Sequence, residues 1–372
     1  MSVNTTPVTP GRALDLLRKG WQAQRDGALT SSWMLHGRPG VGKTDIVRQL
    51  ANETGAQLFD LRLTTIEPQD LRGLPYYDHE AGKTVWYRPE DLPDDPEKPA
   101  ILFLDELTAA PPMLQPTVYG LLQERRVGRH RLPDTVFVAA AGNMIGDGAV
   151  AYEMGTALSD RLIHLLLQPE TGDWLENFAA PRGLEPAVTA FLRGRPDLLD
   201  TTSDSLQRGQ MIACTPRAWE RVSRIMAAVP DRADQQPLIA GTLGEAVAAE
   251  FAVVADDIAA TVHIDALLSA ADKDRPGHYP TTLHGLNAVV FGLVGAASEA
   301  RMSPAIDAME AIRHLDALRP GQGFTALPLS ELCSFGFEML MARALREDTA
   351  DAFAGSDAYA RYAADRQSAG LD

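Results

Sequence analysis

Residues 37–44 read GRPGVGKT, a full match to the phosphate-binding pattern G-x-x-x-x-G-K-[ST]. The match lies between a short apolar run, Ser32 to Leu35, and a helical pattern, Lys43 to Asn52. Glycines in such a loop let backbone N–H groups turn inward around phosphate oxygens, and the start of a helix adds partial positive charge. The segment therefore predicts a strand, a phosphate-binding loop and a helix in succession, which requires an α/β fold.

The last two residues of this loop have separate predicted roles. Lys43 is expected to contact the terminal phosphates of a nucleotide, and Thr44 is expected to hold Mg²⁺. A second Gly-Lys-Thr tripeptide begins at Gly82, but Tyr77 stands where the pattern requires glycine, so we interpret it as a hairpin turn. The predicted nucleotide-binding residues are Gly37, Arg38, Pro39, Gly40, Val41, Gly42, Lys43 and Thr44.

Apolar runs alternate with helical patterns through the first half of the chain. After Ser32 to Leu35, the predicted strands are Gln57 to Leu63, Ile101 to Leu104, Thr135 to Ala141, and Leu162 to Leu167. The predicted helices are 11–28, 43–52 and 113–125. This alternation predicts a parallel five-stranded sheet with helices on both faces, interrupted by inserted hairpins at about 75–88 and 125–133.

Strand patterns largely end at Pro169, and helical patterns follow. They cover residues 174–178, 186–192, 216–228, 239–255, 282–300 and 329–345, with polar breaks that include 200–210 and 230–237. A chain of 372 residues has room for two or three domains. We predict a mobile leader at 1–10, an α/β nucleotide-binding domain at 11–169, and helical regions at 170–230 and 231–372.

Two acids end the apolar run ILFLDE. A buried strand would carry Asp105 to the carboxyl edge of the sheet beside the phosphate loop, where its carboxylate can help to hold Mg²⁺. Glu106 can then polarise a water molecule for attack on a phosphate. Acids also commonly follow a strand in a surface turn, but behind a phosphate loop the catalytic interpretation is favoured.

Asn143 and Arg161 flank the last predicted strands. An amide at Asn143, which follows the strand TVFVAAAG, can position the attacking water or contact the terminal phosphate; the alternative is an ordinary asparagine turn. The guanidinium of Arg161 can stabilise charge on a transferring phosphoryl group, and a neighbouring subunit can supply it. The alternative for Arg161 is a surface ion pair with Asp160.

Arg217 is predicted in the first turn of a helix, after Thr215 as N-cap and Pro216 as the first helical residue. A cation at this end opposes the helix dipole, so an anion such as a nucleotide phosphate is expected nearby. A local ion pair with Glu220 is the alternative.

In this order the segments resemble Walker A, Walker B, sensor 1, the arginine finger and sensor 2 of an AAA+ ATPase. The hairpin that follows residues 69–73 resembles the helix-2 insert, and residues 123–130 resemble the hairpin that precedes sensor 1. Both inserts, together with TPRAWE at 215–220, resemble the MoxR-type or dynein-related branch. The resemblance covers residues 11–228, departs from the family where Leu rather than the common Phe follows Arg161, and assigns no motif after Pro230.

This resemblance implies a hexameric ring that binds ATP and Mg²⁺ between subunits, with Arg161 reaching the nucleotide of its neighbour. Residues 170–230 would be the helical lid, and the last region a lid extension and interaction surface. The resemblance also implies chaperone-like remodelling of a protein client, often together with a von Willebrand factor A domain protein.

The charge balance bears on a competing function, that of a DNA-directed motor or loader. A formal net charge of −16 disfavours binding to nucleic acid or anionic membranes. One local cluster keeps the DNA alternative open: Arg125, Arg126, Arg129, His130 and Arg131. The other interpretation is a hairpin that lines a ring pore or pairs with acidic clients.

Two further classes are disfavoured by single residues or motifs. A scaffold that binds ATP without turnover would not need Glu106 and Arg161, and a GTPase would carry an N-K-x-D motif after the fourth strand.

Cys214 and Cys333 lie far apart without a Cys or His cluster, so a disulfide framework or a zinc site is not predicted. No signal sequence or membrane-spanning run is found, and a cytoplasmic location is predicted.

Overall fold

The computed structural model describes residues 3–147 and 154–368. The chain divides into two compact units, residues 1–169 and 170–372. The first two residues of the predicted leader and the last four of the predicted extension lie outside the described residues.

The first unit contains the predicted sheet and both hairpins. Its elements are α1 (Pro10–Arg25), β1 (Ser32–His36), α2 (Lys43–Thr54), β2 (Gln57–Arg62), α3 (Pro68–Arg72), β3 (Pro75–Asp78), β4 (Lys83–Trp86), β5 (Ala100–Asp105), α4 (Gln115–Glu124), β6 (Arg126–Val127), β7 (His130–Arg131), β8 (Val136–Gly142), α5 (Thr156–Ser159) and β9 (Leu162–Leu166). A short 3-10 helix follows β5 at Leu107–Ala109.

Five of these strands form one parallel sheet in the order β2-β5-β8-β1-β9. Every residue of β1, β5 and β8 is buried, because helices cover both faces of a parallel sheet. Alternate residues of β5 enter two separate apolar clusters: Phe103 packs with residues of α1 and α2, and Leu104 packs with residues of α4. The predicted α/β fold is confirmed.

The direction of the strands decides where polar residues meet. The carboxyl ends of β1, β5 and β8, at His36, Asp105 and Gly142, lie at one edge of the sheet. β1 and β9 begin side by side at the opposite edge, where Ser32 pairs with Leu162. Asn143, which follows the last residue of β8, therefore lies at the same edge as the phosphate loop. Arg161, which comes just before β9, lies at the opposite edge.

The start of the chain differs from the predicted leader. Val8 forms a parallel bridge with Leu167, in which Val8 N–H donates to Leu166 O at 2.8 Å. Thr9 then caps α1 by accepting a hydrogen bond from Arg12 N–H at 3.2 Å. The segment that precedes Pro10 is thus tied to β9 at Val8, which its lack of hydrophobic periodicity did not indicate.

Two antiparallel hairpins interrupt the α/β order, β3 with β4 and β6 with β7. Gly82 adopts a left-handed backbone (φ 59°) in the first hairpin turn, and β4 begins at Lys83. The second Gly-Lys-Thr tripeptide therefore spans the end of a hairpin turn and the start of β4, which is a strand and not a helix.

The second unit is helical throughout its described residues. Its elements are α6 (Thr171–Trp174), a π-helical turn (Leu175–Ala179), α7 (Pro186–Gly194), α8 (Thr202–Gln207), α9 (Pro216–Ala228), α10 (Arg232–Leu243), α11 (Glu245–Thr261), α12 (Ile264–Ser269), α13 (Leu283–Ala296), α14 (Met302–Ala311), α15 (Leu315–Leu318), α16 (Leu329–Arg346), α17 (Asp351–Ala354) and α18 (Asp357–Ser368). One apolar cluster contains residues of every helix in this list except α8, and α13 is buried along most of its length.

The helix predicted over 239–255 is two helices, which is a correction. Gly244 (φ 86°) separates α10 from α11, and the polar stretch at 230–237, predicted to be a break, begins α10. Asp231 accepts a hydrogen bond from Ala233 N–H at 2.8 Å, so the polar residues form a helix cap and first turn. Among the described residues, none of the helices is both apolar enough and long enough to cross a bilayer.

Candidate nucleotide site

The loop between β1 and α2 is shaped to expose backbone N–H groups. Gly40 (φ 83°) and Gly42 (φ 100°) both adopt the left-handed conformation, which glycine enters without a steric penalty. Gly42 is the N-cap of α2, and no side chain caps this helix start. A helix start without a side-chain cap is a position where backbone N–H groups can contact an anion such as a phosphate.

Lys43 lies at this loop, and its ammonium group contacts oxygen atoms of the loop and of Asn143. Its Nζ donates to Gly37 O at 2.6 Å, Arg38 O at 3.0 Å and Asn143 Oδ1 at 3.0 Å. The side chain is 9% exposed. The fold therefore brings together Lys43 and Asn143, which are 100 positions apart in sequence.

The adjacent threonine contacts the first acid of ILFLDE. Thr44 Oγ1 donates to Asp105 Oδ2 at 3.1 Å, and Asp105 Oδ1 accepts from Glu106 N–H at 2.9 Å. A hydroxyl and a buried carboxylate side by side are the hard oxygen ligands that Mg²⁺ takes. The residues predicted to hold the metal fit that role by their chemistry.

Glu106 occupies an unusual backbone conformation next to Asp105. Its φ of 59° and ψ of 34° are left-handed, which costs a residue with a Cβ about 1 kcal/mol. Its side chain accepts a hydrogen bond from Thr64 Oγ1 and lies 3.8 Å from Arg62 Nε. Sequence reasoning missed both partners, although β2 ends at Arg62, directly beside Asp105 in the sheet register.

Arg161 lies just before β9, at the edge of the sheet away from the phosphate loop. Its NH1 donates to Gln123 Oε1 at 2.5 Å, so its partner is Gln123 and not the Asp160 that the alternative required. The pair borders a cavity of about 380 Å³ that is also lined by Thr30 and Leu122. A five-residue strand at about 3.3 Å per residue separates the two edges by roughly 16 Å.

Arg217 belongs to the second unit. Thr215 caps α9 by accepting from Ala218 N–H at 3.1 Å, and Arg217 follows Pro216 as an exposed residue of the first turn. Glu220, the alternative partner of Arg217, instead accepts from Arg224 at 2.5 Å.

Three of the four arginines in the basic hairpin have hydrogen-bond or ion-pair partners within the chain. Arg125 turns inward and donates to the carbonyls of Pro133 and Val136, and burial lowers the pKa of its guanidinium. Two other arginines form ion pairs, Arg126 with Glu124 and Arg131 with Asp134. Of the four arginines of this segment, Arg129 alone shows no hydrogen bond or ion pair to the described residues.

Two histidines lie beside the phosphate loop, and no motif predicted them. His36, the last residue of β1, is buried and stacks on His164 of β9 with ring centroids 5.0 Å apart and planes 18° apart. Burial first, and then the charges of His164 and Lys43, lower the pKa of His36 to about 4. His36 is therefore neutral at physiological pH.

We expect this histidine to make the protein less stable in acid. The unfolded chain, with an ordinary histidine pKa near 6.5, takes up the proton before the folded chain does. The contribution of His36 is therefore complete above about pH 6.5 and is lost as the pH falls towards 4. The pKa difference corresponds to about 3 kcal/mol of the free energy of unfolding.

Urea unfolding at several pH values in this range measures that loss. In a His36→Asn variant, which keeps a hydrogen-bond donor without a titrating ring, the loss with falling pH should be smaller by about 3 kcal/mol. An equal loss in the variant and the wild type would contradict the assignment.

Comparison with known proteins agrees with this geometry. Residues 32–162 match the family described as the AAA domain (dynein-related subfamily). This segment runs from β1 through the start of β9, so it contains the whole phosphate loop, both acids and Asn143. The first unit therefore has an α/β fold with a phosphate-loop motif, and residues 32–162 within it are similar to the AAA domain of the dynein-related subfamily.

Named relatives match smaller parts of the chain. ATPase family gene 2 protein homolog B of Mus musculus is 36% identical over 106 residues, which are 28% of this chain and 12% of the mouse protein. The Rattus norvegicus protein of the same name is 32% identical over 141 residues, which are 37% of this chain and 16% of the rat protein. The chain thus spans a small fraction of the length of these relatives.

Solved structures are similar only loosely. A RuvB variant of Thermotoga maritima has a TM-score of 0.36 at 16% identity, covering 76% of this chain and 80% of its own. NtrX of Brucella abortus has a TM-score of 0.37 at 14% identity, covering 90% of this chain and 69% of its own. TM-scores of 0.36 and 0.37 are too low to assign a function or a family to this chain.

Proposed function

We propose that this protein is an ATP-hydrolysing AAA+ ATPase of the MoxR-type branch that remodels a protein client. It acts as a ring, a hexamer, together with Mg²⁺ and a von Willebrand factor A domain partner. The observation that carries the proposal is the pair of contacts at one sheet edge, Lys43 with Asn143 and Thr44 with Asp105. These contacts bring together at one loop a cation for the phosphates (Lys43), a neutral amide (Asn143) and two oxygen groups suited to a metal ion (Thr44 and Asp105).

The chemistry follows from which atoms can change partners. Lys43 Nζ exchanges the carbonyls of Gly37 and Arg38 for phosphate oxygens, and Asn143 remains beside it to orient the attacking water. Thr44 and Asp105 would hold Mg²⁺, which when bound would neutralise charge on the phosphate oxygens.

Glu106 is the general base of this proposal. The Glu106 carboxylate first gives up its hydrogen bond from the Thr64 hydroxyl. It then accepts a proton from the attacking water. The left-handed backbone of Glu106 turns the chain at the end of β5, beside the metal-binding carboxylate of Asp105. Thr64 and Arg62 are thus positioning residues for this glutamate in the absence of substrate.

Arg161 and Arg217 act on the nucleotide from outside the loop. Since Arg161 lies at the edge of the sheet away from its own loop, the proposal assigns it to the nucleotide of a neighbouring subunit. The exposed position of Arg217 in the first turn of α9 suits a phosphate contact, the sensor-2 role.

A DNA-directed motor is the less favoured function. Salt-dependent DNA binding needs several cations free to contact phosphates. In the basic hairpin, Arg125 is turned inward and both Arg126 and Arg131 are paired with acids. A protein client is therefore the better partner for this surface.

The test of the proposal is Glu106→Gln. Because glutamine cannot accept the proton, we expect turnover to fall by about 10²- to 10⁴-fold. Nucleotide affinity should stay within about threefold, since Lys43, Thr44 and Asp105 are unchanged. Steady-state phosphate release and binding of a fluorescent ATP analogue measure the two quantities.

Glu97→Gln is the matched control, because it makes the same change on an exposed loop residue that precedes β5. It should retain full turnover. Equal and slow turnover in the wild type and Glu106→Gln would mean that the protein binds nucleotide without using it. A client that co-purifies with the ATP-loaded Glu106→Gln oligomer can then be identified by mass spectrometry.

A further inference from the structure

A chain of hydrogen bonds crosses from β1 to β9 beside the phosphate loop. His36 Nε2 lies 2.8 Å from His164 Nδ1, and His164 Nε2 lies 2.9 Å from Ser159 O and 3.1 Å from Ser159 Oγ. All three residues belong to the first unit. None of them is part of the phosphate loop, the acids or the arginines already described.

The Ser159 carbonyl fixes the direction of one of these bonds. A backbone carbonyl can only accept, so His164 Nε2 carries the hydrogen that it donates to Ser159 O. The other ring nitrogen, Nδ1, shares one hydrogen with His36 Nε2. His36 thus holds the ring of His164 in the orientation that reaches Ser159.

The contact with Ser159 closes the turn that carries Arg161. His164 lies in β9 and reaches back to a carbonyl five residues earlier, across Asp160 and Arg161. Inside the turn, Arg161 N–H donates to Leu158 O at 3.1 Å. The hydrogen bond from the His164 imidazole therefore connects Ser159, before Arg161, to β9, after Arg161. The exposed guanidinium of Arg161 belongs to the turn between Ser159 and His164.

The other end of the chain abuts the phosphate loop. His36 immediately precedes Gly37, whose carbonyl accepts from Lys43 Nζ at 2.6 Å. A phosphate that displaces Lys43 from this carbonyl changes the contacts of Gly37, the residue next to His36. A change in the loop conformation can thus alter the Arg161 turn through the side chains of His36 and His164.

We propose that His36 and His164 are positioning residues that link the phosphate loop to the Arg161 turn of the same chain, so that a bound nucleotide orders this turn. The inference rests on the proposed function in taking Arg161 as the group offered to a neighbouring subunit. A subunit that holds nucleotide at its own loop would then present a fixed Arg161 to the next subunit.

Amide hydrogen exchange tests the link without relying on turnover. In the wild-type protein, saturating ADP should slow exchange at the amides of Leu158, Ser159 and Arg161 by about 10-fold or more. His164→Leu removes the hydrogen bonds of both ring nitrogens and should abolish this response, while ADP still protects the phosphate loop and α2. A response of equal size in His164→Leu would overturn the proposal.

Two further variants separate positioning from a general loss of structure. Glutamine at 164 offers one acceptor and one donor, as the imidazole does, so His164→Gln should restore the response. Ser159→Ala removes the hydroxyl and keeps the carbonyl that His164 contacts, so it should respond like the wild type. Failure of His164→Gln to restore the response, with His164→Leu still folded and binding ADP, would also count against the link.

Turnover distinguishes this inference from the proposed function. If the wild type hydrolyses ATP, His164→Leu should lower kcat by about 10-fold with little change in KM, and His164→Gln should recover it. If the wild type binds ADP but shows no turnover, the proposed ATPase function fails and the exchange response alone decides the link. A wild type that binds no nucleotide would overturn both.

Discussion

Lys43→Ala is expected to abolish nucleotide binding at the concentrations where the wild type is saturated. The substitution removes a nearly buried ammonium whose hydrogen bonds to the carbonyls of Gly37 and Arg38 mark where phosphate oxygens would bind. Each hydrogen bond between charged groups contributes about 1.5–3 kcal/mol, so loss of two phosphate contacts weakens binding by at least about 100-fold. Titration with a fluorescent ATP analogue, in the presence of Mg²⁺, measures the dissociation constant.

The chain contains its own matched control for this variant. Lys83→Ala makes the same change in the second Gly-Lys-Thr tripeptide, where Lys83 is the first residue of β4 in the first hairpin. It should leave nucleotide affinity unchanged. Unimpaired binding by Lys43→Ala, or equal losses in both variants, would contradict the assignment of residues 37–44 as the phosphate loop.

The main α/β architecture could be predicted because its signals are local. Five apolar runs alternate with helical patterns, and the phosphate-loop pattern fixes one strand-to-helix junction. The direction of parallel strands then places Asp105 and Asn143 at the same sheet edge as the loop. The contacts of Thr44 with Asp105 and of Lys43 with Asn143 follow from that placement.

Contacts that depend on strand order could not be predicted in the same way. Thr64 reaches Glu106 because β2 pairs with β5, and His36 reaches His164 because β9 pairs with β1. The two histidines are 128 positions apart, and neither belongs to a motif. A list of motifs contains no information on which strands are neighbours, so these partners appear only in the folded chain.

The two breaks predicted at 200–210 and 230–237 were wrong for one physical reason. The second stretch begins a helix that Asp231 caps, and its polar residues form the first turns. The first contains α8, where Thr202 N–H donates to Asp200 Oδ1 at 2.9 Å. In both cases polar composition indicated a loop, whereas aspartate side chains satisfied the backbone N–H groups at the start of a helix.

Arg161→Ala should lower turnover by about 10³- to 10⁵-fold, the range for a guanidinium that stabilises a transferring phosphoryl group. Nucleotide binding should change little, because Arg161 lies at the far edge of the sheet from its own loop. Phosphate release and analogue binding, measured on the same preparation, separate the two effects. Wild-type turnover in Arg161→Ala would show that this arginine takes no part in hydrolysis.

A mixture of variants tests whether Arg161 acts on a neighbouring subunit. In rings of equal amounts of Arg161→Ala and Lys43→Ala, random assembly joins an intact loop to an intact Arg161 at about a quarter of the interfaces. That Arg161 comes from a subunit without nucleotide, so turnover should return to between roughly a fortieth of the wild type, if bound nucleotide must order the Arg161 turn, and roughly a quarter, if it need not. The control replaces Lys43→Ala with the double variant Lys43→Ala/Arg161→Ala, which supplies no intact Arg161 and should restore nothing. Native mass spectrometry establishes that mixed rings have formed. If they form and no ratio restores turnover, Arg161 does not act across the subunit interface.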